Sequence, residues 1–216
     1  YLKGQQVPDL SDSICSIYQE IRVKKTCDCQ NLFDFNHVKE HIVYKLIRRD
    51  ANEELLKQIP YEPFLDLAVV YYIQIDNTRF GSAAIQIRNE HLRYWRVEKE
   101  EIRRLAEKNT PRIYPVQIRQ IVRFMYVATN EQCSLGAAVM RYPDFREKVR
   151  GMIRGDFYIL PSSIHEVILV PESFGLEPER MQEMVKEINQ TGVAPEEVLS
   201  DSVYYFDGEE IRIVAK

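Results

Sequence analysis

The stretch FLDLAVVYYIQI, residues 64–75, constrains the fold more than any other part of the chain. Ten of its twelve residues are apolar, and β-branched and aromatic side chains dominate it. That composition suits a pleated, buried strand better than a helix. Asp66 breaks the run, which also falls well short of the roughly 18 apolar residues of a membrane span. The pattern therefore predicts a buried strand over residues 65–75, a turn over 76–82 containing Gly81, and a return strand over 83–88.

The same grammar recurs. Residues 44–48 read as a short strand and 52–59 as a short helix stopped by Pro60. A helix with Ile102, Leu105 and Ala106 on one face ends at Asn109, Thr110 and Pro111. Residues 124–129 and 136–140 read as strands around a turn, followed by a helix over 144–153. Residues 157–160 and 166–170 form a hairpin, followed by a helix over 178–189 with Pro178 in its first turn. The chain closes with strands over 203–206 and 211–214 around Asp207-Gly208, a strong hairpin signal. Before all of these, residues 9–24 read as a helix, with Ile14, Ile17, Tyr18 and Ile21 at helical spacing. The implied class is α+β: successive antiparallel hairpins, each followed by a helix lying mainly on one sheet face. A shift of 79 residues superposes Val97, Ile102, Leu105 and Ala106 on Leu176, Met181, Met184 and Val185, as an internal ββα repeat would. The expected organisation is an N-terminal part over 1–110, truncated at its start, a linker over 111–122, and a C-terminal part over 123–216.

Bulk properties narrow the function little. The chain has 216 residues, 45% hydrophobic and 29% charged, with a net charge of −4. Such a chain builds a sizeable core and is not disordered. Four cysteines do not make a disulfide scaffold, and reduced thiols in the cytoplasm are the simpler expectation. No basic-then-apolar leader is visible, and a start at Tyr1 is expected of an excised piece.

Three constellations carry candidate chemistry. The first is DFYILPSSIHEVILVP, residues 156–171, where Ser162, Ser163, His165 and Glu166 sit between two apolar runs. With a four-residue turn over 161–164, Leu160 would face His165, Tyr158 would face Val167 and Asp156 would face Leu169. A serine nucleophile needs a histidine within hydrogen-bond reach and an acid orienting it. Glu166 points to the opposite strand face, and Asp156 lies roughly 13 Å along the strand. No local acid completes a triad, which leaves a remote one such as Asp66 or an ordinary turn. The second is Cys27, Cys29, His37 and His41. These are zinc-ligand types, but Cys-x-Cys is tighter than usual zinc spacing. A polar loop entering a helix, with no metal, is the expectation. The third is the set of strand-start acids Asp66, Asp156 and Glu166, a magnesium nuclease arrangement in which Gln86-Ile87-Arg88 fails to supply the second carboxylate. No P-loop, dinucleotide glycine pattern or HExxH motif is present, and no cofactor is expected.

Charge is uneven along the chain. Residues 88–123 hold ten basic and five acidic residues, whereas residues 165–216 hold four basic and twelve acidic. The arginines alternate with glutamates, as on a solvated helix with i, i+4 pairs. Arg93, Arg103 and Arg104 are expected to meet acidic groups such as Glu183 and Glu187, or a protein partner, rather than nucleic acid.

Read together, LDLAVVYY, NEHL, MYVATNE, DFYILPSSIHEVILVP and VAPEEVLSDSVYYF resemble, over nearly the whole chain, an uncharacterised family known only as a domain of unknown function, the 5688 family. The resemblance implies an origin in bacteria of the Firmicutes and a longer parent protein preceding Tyr1, and it implies no activity. Cys27, Cys29, His37 and His41 lie outside the matching blocks, whereas the serines and His165 lie within one. The expectation is a non-catalytic binding or protein-interaction module, soluble and not membrane-bound, whose partner is its own missing N-terminal region or another protein chain. The alternatives are a hydrolase using Ser162 and His165, or a weak nucleic-acid binder using residues 88–123.

Overall fold

A computed structural model describes residues 34–75 and 83–216. The chain divides into two compact units, Tyr1–Lys39 and Glu40–Lys216. Of the first, the described part is a short helical turn, α1 (Phe35–Val38), capped by Asp34, whose carboxylate accepts the Asn36 N–H at 2.9 Å. The expected helix over 9–24, the turn over 76–82, Cys27 and Cys29 lie outside the described residues.

The second unit is an α+β structure with two antiparallel sheets. In the smaller, the central strand is β3 (Leu67–Ile75), buried from Leu67 to Gln74 as its composition requires. On one side it pairs with β1 (Ile42–Arg48) along its whole length. On the other it pairs with β2 (Tyr61–Phe64) over its first half and β4 (Ala83–Gln86) over its second. The single strand expected over 65–75 is thus a hairpin arm preceded by a turn. Phe64 pairs with Leu67 across Leu65 and Asp66, and Leu65 turns the chain at φ 56° without a glycine. Pro63 lies exposed on β2, an edge position that does not need its missing N–H.

Helix α2 (Glu53–Leu56) buries Leu56 beside Ile59, Ala68 and Val70. Helix α3 (Asn89–Trp95) precedes α4 (Lys99–Ile113), which buries Ile102, Leu105 and Ala106 as its periodicity predicts. Asn109, Thr110 and Pro111 do not end α4, contrary to expectation. Pro111 sits in the last turn, where it forgoes the bond to the Glu107 carbonyl without ending the helix, and the Tyr114 N–H closes that turn on the Thr110 carbonyl at 2.8 Å. Asn109 and Thr110 are polar because they face β1. Asn109 Nδ2 donates to the Ile42 carbonyl at 3.0 Å, and Thr110 Oγ1 accepts the Tyr44 N–H at 3.0 Å.

Among the described residues the larger sheet has six strands in the order β10-β9-β7-β8-β6-β5. Its members are β5 (Val116–Val122), β6 (Met125–Asn130), β7 (Phe157–Leu160), β8 (Val167–Pro171), β9 (Val203–Phe206) and β10 (Ile211–Ala215). Helix α6 (Pro178–Thr191) buries Met181 and Val185 against Leu160, Val170 and Val203. Helix α5 (Phe145–Arg150) packs near β5. Residues 111–122, expected as a linker, hold the end of α4 and the whole of β5. Hairpins do precede α3 and α6, but β3 and β4 lie in the smaller sheet and β7 and β8 in the middle of the larger one.

Residues 136–140, expected as a strand, form the 3-10 helix Gly136–Arg141, which packs against both β6 and β1. A run of small apolar residues carries no period that separates the two states. The deciding contact is at Gly136. A Cβ there would collide with Thr129 Oγ1 and the His165 carbonyl, so the backbone enters where no side chain fits.

Candidate functional site

The β7–β8 hairpin departs from the expected register. Leu160 pairs with Ile168 rather than His165, and Tyr158 with Val170, so residues 161–166 leave the ladder. They pair elsewhere. The Ile164 N–H donates to the Glu197 carbonyl at 2.9 Å, the Leu199 N–H to Ser162 at 2.9 Å and the Ser200 N–H to Pro161 at 3.0 Å. On the other side, the Gly136 N–H and Thr129 Oγ1 both donate to the His165 carbonyl, at 2.9 and 2.7 Å. The tip is a clamp between two distant segments, which supplies the backbone partners that a long loop would otherwise lack.

This arrangement fixes the imidazole. His165 Nδ1 accepts the Leu135 N–H at 3.2 Å, so the ring proton belongs on Nε2. Nε2 in turn lies 3.2 Å from Glu197 Oε1. Ser163 Oγ accepts the backbone N–H of His165 at 3.1 Å, the ordinary bond of a serine turn. A general base needs its free lone pair aimed at the nucleophile. In His165 a backbone amide occupies that lone pair.

The acid beside the ring is Glu197, which no local pattern singled out. Asp66 lies at the β2–β3 turn and accepts three hydroxyl groups: Ser200 at 2.7 Å, Ser202 at 2.8 Å, and Tyr204. Ser200 and Ser202 are buried, and Ser200 Oγ also accepts the Ser202 N–H at 2.9 Å. Three donors around one carboxylate tie the smaller sheet to the start of β9. Burial first, and then the Asp66 carboxylate, hold the Tyr204 phenol far above the usual tyrosine range.

The remaining candidates are dispersed. Asp156 accepts from Tyr205 at 3.1 Å, apart from the Asp66 cluster. His37 and His41 are exposed, in α1 and in the 3-10 helix Lys39–His41 respectively. Among the described residues no three His, Cys, Asp or Glu side chains group as metal ligands. Arg103 lies 3.7 Å from Glu62 and 3.8 Å from Glu107, and Arg104 pairs with Glu101 at 2.8 Å. Glu183 pairs with Arg180 at 2.7 Å. Among the described residues no ion pair joins Arg93, Arg103 or Arg104 to Glu183 or Glu187, because each finds a partner nearer in sequence or, as with Arg93, projects into solvent.

The sequence pattern of a family of unknown function (DUF5688) matches residues 1–125 and 122–208. The chain belongs to that family. No curated protein and no solved structure matches it. Among the described residues of this DUF5688 chain, no helix is long and apolar enough to cross a membrane.

One surface of the DUF5688 unit stands apart from these closed clusters. At the β5–β6 hairpin, Ile121 and Val122 are 54% and 57% exposed. Phe124, held at φ 65°, stacks on Phe174 at 5.6 Å, and Phe174 is 45% exposed. Positive φ at a bulky residue is strained, so surrounding contacts must hold the ring there. Arg123 lies over the Phe124 ring at 4.8 Å. Residues 116–122, VQIRQIV, carried a visible strand signal in their β-branched residues, but Pro111 and Pro115 nearby made the segment resemble a linker.

Proposed function

We propose that the protein is a non-catalytic interaction module that binds another protein through the β5–β6 end of its larger sheet. The observation that carries this reading is the concentration of exposed apolar side chains there, with Ile121, Val122 and Phe174 near one hairpin tip. Exposed apolar residues scattered singly need no explanation, but a group of them beside charged residues is the usual mark of a contact surface. The polar clusters support the same reading from the other direction. The carboxylate of Asp66 and both ring nitrogens of His165 are engaged by the protein itself. An exposed free thiol at Cys133 fits a reducing compartment, and we read the protein as cytoplasmic.

The test is selection of ligands from a random peptide library on the immobilised protein, followed by titration against Ile121→Asp/Val122→Asp. The expected result is ligands whose affinity falls at least tenfold in the double variant. Ligands indifferent to that variant would overturn the reading. So would labelling of Ser162 or Ser163 by a fluorophosphonate probe that His165→Ala abolishes.

A further inference from the structure

Among the described residues β5 is the last strand of its sheet, so alternate N–H and C=O groups of β5 point away from β6. Among the described residues no other segment hydrogen-bonds along that outer side. Gln120 Nε2, on β5 itself, reaches the Val122 carbonyl at 3.4 Å. Residues 119–122 are exposed. Natural sheets usually cover, shorten or charge such an edge, because it templates pairing with any extended chain. Here the charge is of one sign. Arg119 and Arg123 are exposed, and neither makes an ion pair with a described residue.

We propose that the outer edge of β5 receives an extended, acidic segment of a partner protein as a seventh strand of the larger sheet. The proposal rests on the interaction reading above and names its mode and partner chemistry. Main-chain hydrogen bonds to a free edge give affinity, and alternate side chains give specificity. Arg119 lies at the middle of β5, where a carboxylate on the added strand would stand beside it. Ile121, Val122 and the Phe124–Phe174 pair offer apolar contacts for the residues that follow.

The same features select against a second copy of this chain. A two-fold antiparallel pairing of β5 with itself, centred on the strand, would set Arg119 against its counterpart, and like charges directly opposite destabilise a ladder. A basic edge that repels its own copy is matched by an acidic strand.

The experiment uses a terminally blocked, fluorescein-labelled ten-residue peptide of alternating valine and glutamate, titrated into the whole chain and read by anisotropy. Three comparisons accompany it: the peptide with lysine for glutamate, and two versions N-methylated at one or the other alternate set of amides. The expected result is saturable binding weakened at least tenfold by lysine, reversed in charge preference by Arg119→Glu, and lost on methylating one amide set but not the other. Equal tolerance of both methylated peptides would overturn strand addition. If Ile121→Asp/Val122→Asp still removed binding in that case, the interaction reading would stand without it. Indifference to both methylation and that double variant would remove both. Wild-type dimerisation abolished by Ile121→Asp, or tighter binding of a single-stranded oligonucleotide than of the acidic peptide, would also overturn the proposal.

Discussion

Strand β1 carries Asn109 and Thr110 of α4 along its outer edge, whereas among the described residues no other segment hydrogen-bonds along the outer edge of β5. Among the described residues the two strands occupy equivalent places, each ending its sheet. At β1, helix side chains take the place of a further strand: Asn109 supplies a donor to the Ile42 carbonyl and Thr110 an acceptor for the Tyr44 N–H. Ile42, Val43 and Tyr44 are accordingly buried. At β5 the side chains nearest the edge are exposed isoleucine, valine and arginine. The difference teaches that this protein can close an edge with helix side chains, and that among the described residues it does so at β1 and not at β5. Among the described residues the outer edge of β5 has no such cover, and the proposed strand of a partner would supply one.

The largest expected effect tests the closed edge. Asn109→Leu/Thr110→Val preserves bulk and strands a buried acceptor and a buried donor, each costing about 1–3 kcal/mol, or about 2–6 kcal/mol for the pair. Urea unfolding checks this, with Thr110→Ser, which keeps the hydroxyl, expected to cost much less than Thr110→Val. A loss under about 1 kcal/mol in the double variant would mean that water reaches β1, and the contrast between the two edges would vanish.

A second, intermediate effect is alkaline and belongs to the smaller sheet together with Tyr142, which packs edge-on against Tyr44. Burial is the main cause that raises the phenols of Tyr44, Tyr71, Tyr72 and Tyr142. Neighbouring groups add to it: Glu62 for Tyr71, Tyr114 for Tyr72 and Tyr142. Unfolded tyrosine loses its proton near pH 10, so above that pH the unfolded chain binds fewer protons than the folded one. Stability is then fully present below about pH 10 and falls as pH rises above it. Absorbance at 295 nm should show phenolate appearing together with unfolding. Tyr72→Phe should make the alkaline fall shallower. Ionisation of these four phenols in a chain that stays folded would show the sheet under the closed edge to be open to solvent.

What the sequence disclosed follows from where its signals originate. The buried strand in residues 64–75, the amphipathic faces of α4 and α6, and the Asp207-Gly208 turn are local signals, and all were legible. The turn at Leu65 and Asp66 was not, because Leu65 adopts φ 56° without the glycine that usually marks such a turn. The tip around His165 departs from its local pattern for a different reason. A four-residue turn satisfies local rules, but pairing with Glu197, Leu199, Gly136 and Ala137 comes from segments about 30 residues away on either side. Glu197 as the partner of His165, and the three hydroxyls on Asp66, belong to the same class of long-range contact. Asn109 and Thr110 looked like a helix stop because polar residues at a helix end usually face water. Here they face a strand edge.

The smallest expected effect is on the stability of the open edge, and it is the one that most sharpens the comparison. Ile121→Lys and Val122→Lys replace side chains already more than half exposed. Surface substitutions away from caps, cores and networks usually stay within about 0.5 kcal/mol. Each variant should therefore unfold within that range of wild type in urea, with an unchanged denaturant slope, because no additional surface becomes exposed. Placed beside the Asn109→Leu/Thr110→Val result, near-silence at β5 would show that two strands in equivalent positions differ several-fold in what their edges contribute to folding. A loss above about 1 kcal/mol in either lysine variant would mean that β5 is covered in the folded chain. In that case the exposed isoleucine and valine would be part of the fold, and the strand would not be free to receive a partner.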